Sequence, residues 1–290
     1  RQRQMCIRDR DCFAGLYWKA PSAGSQNVLA RFGDAGKVAA ECDVTVAVLG
    51  INKSIEREGQ DRFSLELPVD QQEFIKELYK VNPNTVVVLV AGSSMAVNWM
   101  DENVPAILNA WYPGEQGGNA VAEVLFGDYN PGGRLPLTYY NSLDEIPAFD
   151  NYSVKGRTYQ YFEGQPLYEF GYGLSYTKFR YKSKGVNVEQ DTVKVSFEVS
   201  NTGKYDGDEV AQVYVKYPET GTYMPLKQLH GFKRVHIKKG KTSKVTIGVP
   251  KKDLRYWDEQ ERKFVTPKGE YTFMVGASSE DIKFRETVGL

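Results

Sequence analysis

Residues 85–90, Thr85-Val86-Val87-Val88-Leu89-Val90, form an unbroken apolar run rich in β-branched side chains. Such a run reads as a strand buried on both faces. An earlier run, Val44 to Leu49, reads as a second buried strand. Between the two, residues Gln71–Val81 carry Phe74, Ile75, Leu78 and Tyr79 at helical spacing, and Asn82-Pro83-Asn84 breaks the helix. On either side of these elements, Val28–Ala40 reads as an amphipathic helix, Met95–Met100 as a short helix and Pro105–Trp111 as a further strand. After the turn at Gly114-Glu115-Gln116-Gly117-Gly118, Asn119–Phe126 reads as a helix capped by Gly127. Buried strands alternating with helices imply an α/β fold over residues 27–140, with a mostly parallel sheet flanked by helices.

Past that region the pattern changes. Residues 141–178 form an aromatic-rich connector interrupted by Gly156, Gly164, Gly171 and Gly173. Its tyrosines suit either a sugar-stacking wall or a connector packed onto a surface. From residue 179 to 290 the pattern is all-β. Val193, Val195, Phe197 and Val199 alternate, and Val210, Val213 and Val215, Lys244–Val249 and Tyr271–Val275 continue the theme. Turns recur at Asn201-Thr202-Gly203, Lys239-Gly240-Lys241 and Lys268-Gly269. Short alternating strands with regular turns predict a sandwich of immunoglobulin or fibronectin type III character.

Composition narrows the function. The chain has 290 residues, 41% of them hydrophobic and 26% charged, enough for a substantial core. Lys and Arg balance Asp and Glu at 37 each, which argues against nucleic acid or an anionic membrane as the main partner. No apolar run approaches the ~20 residues of a membrane-spanning helix. Cys6, Cys12 and Cys42 make no disulfide framework and lack metal-ligand spacing, so neither a metal site nor a cofactor is expected. Residues 1–26 begin with an aperiodic, charged stretch and are read as a scar or remnant outside the fold.

The loop Ser54-Ile55-Glu56-Arg57-Glu58-Gly59-Gln60-Asp61-Arg62 follows the first strand. Open α/β sheets bind ligands beyond the carboxyl ends of their strands. The only histidines, His230 and His236, lie in the β region, which leaves no Ser-His-Asp triad in the α/β part. Gly117-Gly118 reads as a packing turn or, alternatively, as a phosphate site of a nucleotide-binding protein, without a surrounding dinucleotide fingerprint. Carboxylates remain. Glu58 beside Gly59 and near Asp61 reads either as a solvated loop glutamate or as an acid/base group, while Arg57 and Arg62 oppose a raised pKa and orient neighbouring carboxylates.

The run Glu56-x-Glu58-Gly59-x-Asp61-Arg62, then Leu65-x-Leu67-Pro68 and Gln71, resembles the C-terminal α/β sandwich domain of glycoside hydrolase family 3. Asn109-Ala110-Trp111-Tyr112-Pro113-Gly114-Glu115-Gln116-Gly117-Gly118 is similar to it too, as is Gly127-Asp128-Tyr129-Asn130-Pro131-Gly132-Gly133-Arg134-Leu135-Pro136. Gly156-Arg157-Thr158-Tyr159 and Pro166 to Tyr176 complete the likeness, and the final part resembles the family's fibronectin type III-like domain. The resemblance implies a retaining, exo-acting β-glucosidase or β-xylosidase acting on β-linked glucosides or xylosides. It implies Glu58 as the general acid/base, with Glu56 as the other candidate, and Asp61 and Arg62 as substrate-binding or loop-shaping residues. It implies a periplasmic or secreted location. The family's nucleophile is an aspartate on an N-terminal TIM-like barrel, which these residues lack. The chain alone is therefore expected to be inactive. A non-catalytic glycan-binding or scaffold module of the same family is the competing reading.

Overall fold

The computed structural model describes residues 28–290, so the expectation for residues 1–26 lies outside the described residues. The chain divides into two compact units. Of the described residues, the first comprises 28–121 together with 140–143, and the second comprises 122–139 with 144–290. Among the described residues, no helix is long and apolar enough to cross a membrane.

The first unit is built on a three-stranded parallel sheet in the order β1 (Thr45–Gly50), β2 (Thr85–Val90) and β3 (Ala106–Asn109). The central strand β2 buries Thr85, Val87, Val88 and Leu89. The edge strand β1 differs from the expectation of a fully buried strand. It buries Thr45, Ala47 and Leu49, while Val48 on its other face is 38% exposed. With one sheet neighbour among the described residues, β1 shows the alternation of a strand covered on one face.

Helix α1 (Val28–Ala40) precedes β1, and α2 (Val69–Val81) leads into β2. Helix α2 turns Phe74, Ile75 and Leu78 into the core, the 3.6-residue spacing visible in the sequence. Its end is set by buried Asn82, whose Nδ2 donates to the carbonyls of Ala39 (3.0 Å) and Cys42 (2.8 Å) while its Oδ1 accepts from Asn84 N. One amide thus satisfies carbonyls at the end of α1 and starts the turn into β2. Helix α3 (Asn98–Asn103) begins three residues later than the sequence predicts. Met95, Ala96 and Val97 are buried ahead of it, and Ala96 N donates to Leu65 O at 2.8 Å. Pairing at Ala96 therefore keeps the helix from starting at Met95, although Met and Ala favour a helix. Helix α4 (Gly117–Phe126) starts two residues earlier than expected and ends on Gly127 at φ 83.

The second unit is a β-sandwich. One sheet has the order β12 (Ile282–Gly289), β11 (Glu270–Gly276), β6 (Gly207–Lys216), β7 (Gln228–Ile237). The other has the order β4 (Phe179–Val188), β5 (Thr192–Asn201), β8 (Thr242–Pro250). The shared core comes from both: Val193, Val195, Phe197 and Val199 face Ala211, Val213, Val215, Phe273 and Val275. On β6 the inward row includes a charge, Glu209, and Val210 takes the less buried position. Arg134 Nη2 meets Glu209 Oε1 at 3.2 Å, and both side chains are more than nine-tenths buried. This pair anchors the 131–136 segment on the sandwich.

The connector is packed within this unit through a short helix, α5 (Thr158–Tyr161), and ring contacts. Tyr159 stacks on Phe170 at 4.3 Å, and its hydroxyl accepts from Leu229 N at 3.1 Å. Tyr168 stacks on Tyr172 at 5.2 Å. Tyr152, by contrast, is 95% exposed. A small hairpin, β9 (Tyr256–Asp258) with β10 (Lys263–Val265), stands apart from both sheets.

Candidate functional site

The loop between β1 and α2 begins where Gln71 grips the end of β1. Its Oε1 accepts from Gly50 N and its Nε2 donates to Gly50 O, both at 2.8 Å. Side-chain bonding replaces a strand neighbour here and fixes where the loop departs. Asn52 then folds the chain back: its Oδ1 accepts from Ser54 N at 2.9 Å and from Ser54 Oγ at 2.6 Å.

A two-residue turn follows. Arg57 and Gln60 exchange backbone hydrogen bonds of 3.1 and 2.9 Å, which leaves Glu58 and Gly59 at the corner. Gly59 has φ 73, the positive value that the third position of a type II turn requires. The turn projects Glu58 into solvent. Among the described residues its carboxylate has no hydrogen-bond or ion-pair partner, and neither has that of Asp61.

Glu56 is placed in the opposite way. Arg62 Nε lies 2.6 Å from Glu56 Oε2, and Ser93 Oγ donates to the same oxygen at 2.6 Å. Arg62 is itself nearly buried; its Nη2 donates to Ser94 O at 2.8 Å and its Nη1 lies 2.9 Å from Met95 Sδ. Ser93, Ser94 and Met95 follow the central strand β2. One guanidinium therefore joins the loop after β1 to the loop after β2, with Glu56 held as the third member. The Glu66–Ala96 bridge runs the two loops side by side further on.

The site residues read from the sequence thus separate. Glu56 and Arg62 come together as a clamp, whereas Glu58 and Asp61 stand free. Ser93 and Ser94 complete the clamp and were not singled out in the sequence. The available signal was a pair of small polar residues directly beyond a buried strand, at a carboxyl end where ligands gather.

The third strand contributes to the same edge. Trp111 adopts φ 54, a left-handed conformation that is strained for a bulky residue. It turns the chain so that the Tyr112 ring lies on Gly92, where any Cβ would collide with it. Gly117-Gly118 lies within the first turn of α4, and a side chain at Gly117 would meet the Pro113 ring. Close packing accounts for that glycine. Among the described residues there is no group of His, Cys, Asp and Glu that could hold a metal ion.

Comparison with known proteins agrees with this architecture. The model of the glycosyl hydrolase family 3 C-terminal domain matches residues 14–176, and that of the fibronectin type III-like domain matches residues 209–279. A xylan 1,4-beta-xylosidase of Xylanibacter ruminicola is 43% identical over 225 residues, covering 77% of this chain and 26% of that protein. A beta-glucosidase of Kluyveromyces marxianus is 38% identical over 264 residues, covering 86% of this chain and 31% of that protein. The crystal structure of the Kluyveromyces marxianus beta-glucosidase in complex with glucose superposes with a TM-score of 0.86 at 34% identity, over 93% of this chain and 34% of that one. The chain spans from 26% to 39% of the length of such curated relatives.

Proposed function

Because the chain belongs to glycoside hydrolase family 3, we propose that it forms the C-terminal portion of a retaining, exo-acting β-glycosidase and supplies the general acid/base from Glu58. The observation that carries this reading is the contrast between the two loop glutamates. A general acid/base must carry and release a proton at the leaving oxygen. Glu56, ion-paired to Arg62 and bonded to Ser93, is tied into the junction of the two loops and has little freedom to reach a leaving oxygen. Glu58 projects unpartnered from a turn of fixed geometry.

In this proposal Glu58 protonates the glycosidic oxygen as the bond to the anomeric carbon breaks. It then takes a proton from the water that releases the sugar. Retention needs a carboxylate nucleophile ~5–5.5 Å from the acid. We place that nucleophile outside these 290 residues, on the barrel implied by the family resemblance. Asp61 is available for a substrate hydroxyl, and Arg62 and Ser93 hold the loop. β-Linked glucosides or xylosides are the proposed substrates, following the names of the relatives.

The test is Glu58→Gln in the full-length enzyme. Turnover of substrates with poor leaving groups should fall by about 10²–10⁴-fold. Azide should restore turnover of activated aryl glycosides. Unchanged turnover would remove Glu58 from the role. The 290-residue chain by itself should not hydrolyse an aryl glucoside, and measurable hydrolysis would contradict a nucleophile outside it.

A further inference from the structure

Gln72, Glu73 and Lys76 of α2 line a groove beside α3. Two adjoining hollows, of about 190 and 490 Å³, lie there and share Trp99 and Lys76. The larger falls within the size range of small-molecule sites. Trp99 lines both hollows. The Tyr79 ring meets the indole at 5.6 Å and 87°, and the Lys76 ammonium lies over the indole, 5.8 Å from its centroid, on a flexible stem that a ligand can displace. Asn103 Nδ2 donates to Trp99 O at 2.7 Å, which fixes the backbone beneath the ring. The indole is therefore preset and half-buried, so a ligand placed on it orders little that is not already ordered.

The rim decides the ligand class. Glu77 is paired with Lys80 at 2.6 Å. Glu73 and Lys76, of opposite sign, form no ion pair among the described residues and line the same hollow. The balance of charge disfavours phosphate or nucleic acid. A carboxylate, an ammonium and the Asn103 amide around an aromatic ring offer acceptors and donors to a neutral polyol and an apolar surface to its C–H face. We infer that the α2–α3 groove is a pyranose-binding site, separate from the loop carrying Glu58, that holds a sugar unit of a β-linked oligosaccharide against Trp99. The choice of β-linked sugars rests on the proposed activity, whereas the groove's chemistry does not.

The experiment titrates the full chain with cellohexaose and with xylohexaose, following tryptophan fluorescence and calorimetry. Wild type, Trp99→Ala, Glu73→Gln and Glu58→Gln are compared, with circular dichroism confirming that each is folded. Wild type and Glu58→Gln should bind at least one sugar with a Kd of about 1 mM. Trp99→Ala should weaken binding about tenfold, and Glu73→Gln, which disturbs no core contact, about threefold to tenfold. No binding by wild type up to about 20 mM, or binding by Trp99→Ala and Glu73→Gln as tight as that of wild type, overturns the groove. Loss of binding in Glu58→Gln alone also overturns it and leaves the proposed activity standing. Unchanged turnover by Glu58→Gln, measured separately, would remove the activity and leave the groove intact.

Discussion

Arg62 Nε lies 2.6 Å from Glu56 Oε2, and this pair fastens the loop after β1 to the loop after β2. Arg62 also caps Ser94 O, so the guanidinium serves both loops at once. Arg62→Ala leaves the Ser94 carbonyl without its side-chain donor and Glu56 with Ser93 Oγ but no cation. It should destabilise the chain by about 1.5–3 kcal/mol, the range for hydrogen bonds to charged groups, as read from urea unfolding. Arg62→Lys should recover only part, because an ammonium cannot reproduce the fork that spans Glu56 and Ser94. A stability equal to wild type in Arg62→Ala would show that the clamp is idle.

The turn carrying Glu58 relies on Gly59. A Cβ there meets open space, so the cost of Gly59→Ala is conformational alone, about 1 kcal/mol from forcing φ 73 on an L-residue. Gly50 differs: its added methyl would run into the carbonyl of Val90 on the neighbouring strand. Gly50→Ala should break the end of the β1–β2 pairing and cost several times more. Equal midpoints for the two variants in thermal unfolding would refute the distinction.

The Arg134–Glu209 pair is buried on both sides. Removing one partner strands the other charge, so Glu209→Ala should cost about 3–5 kcal/mol. Replacing both, Arg134→Met with Glu209→Leu, should recover most of that loss, since apolar groups of similar volume avoid the desolvation penalty. A double variant as unstable as the single one would mean that the pair itself stabilises the fold.

Acid should act on the sandwich in two steps. Burial pushes His230 below its ordinary value of 6.5, with the Asp253 carboxylate opposing. The unfolded chain then binds more protons than the folded one below pH 6.5, so stability falls as the pH drops from 6.5 through the lowered folded value. His230→Gln should flatten this dependence. A second loss belongs to Asp208. Burial acts to raise its carboxyl, but hydrogen bonds from His236 and Arg234 hold it below 3.8. The stability from those bonds is present above pH 3.8 and disappears as the pH falls through the lowered value. Unfolding midpoints of wild type and His230→Gln that track each other between pH 7.5 and 5 would exclude the first step.

The α/β part was legible because its signals are local. The run 85–90 is a strand wherever it sits, since its β-branched side chains suit a surface covered on both faces. Strand β7, by contrast, was not read. Its residues Phe232, Lys233, Arg234 and His236 are exposed or half-exposed, and alternation is weak where little is buried. The hairpin of β9 and β10 lacks an apolar row for the same reason. The start of α3 lies later than the sequence suggests because Ala96 pairs with the neighbouring loop and Met95–Val97 fill the core.

By itself the sequence determined the alternation of strands and helices, the sandwich that follows, and a short loop holding the candidate carboxylates. Those properties follow from side-chain periodicity and turn chemistry, which act over a few residues. Only the tertiary structure separated Glu56 from Glu58. The two are near-identical in sequence context, and what distinguishes them is Ser93 Oγ, 37 residues away along the chain, together with the nearly buried guanidinium of Arg62. Whether a carboxylate is locked or free depends on which groups the fold brings within hydrogen-bond reach, and that is decided by packing between elements.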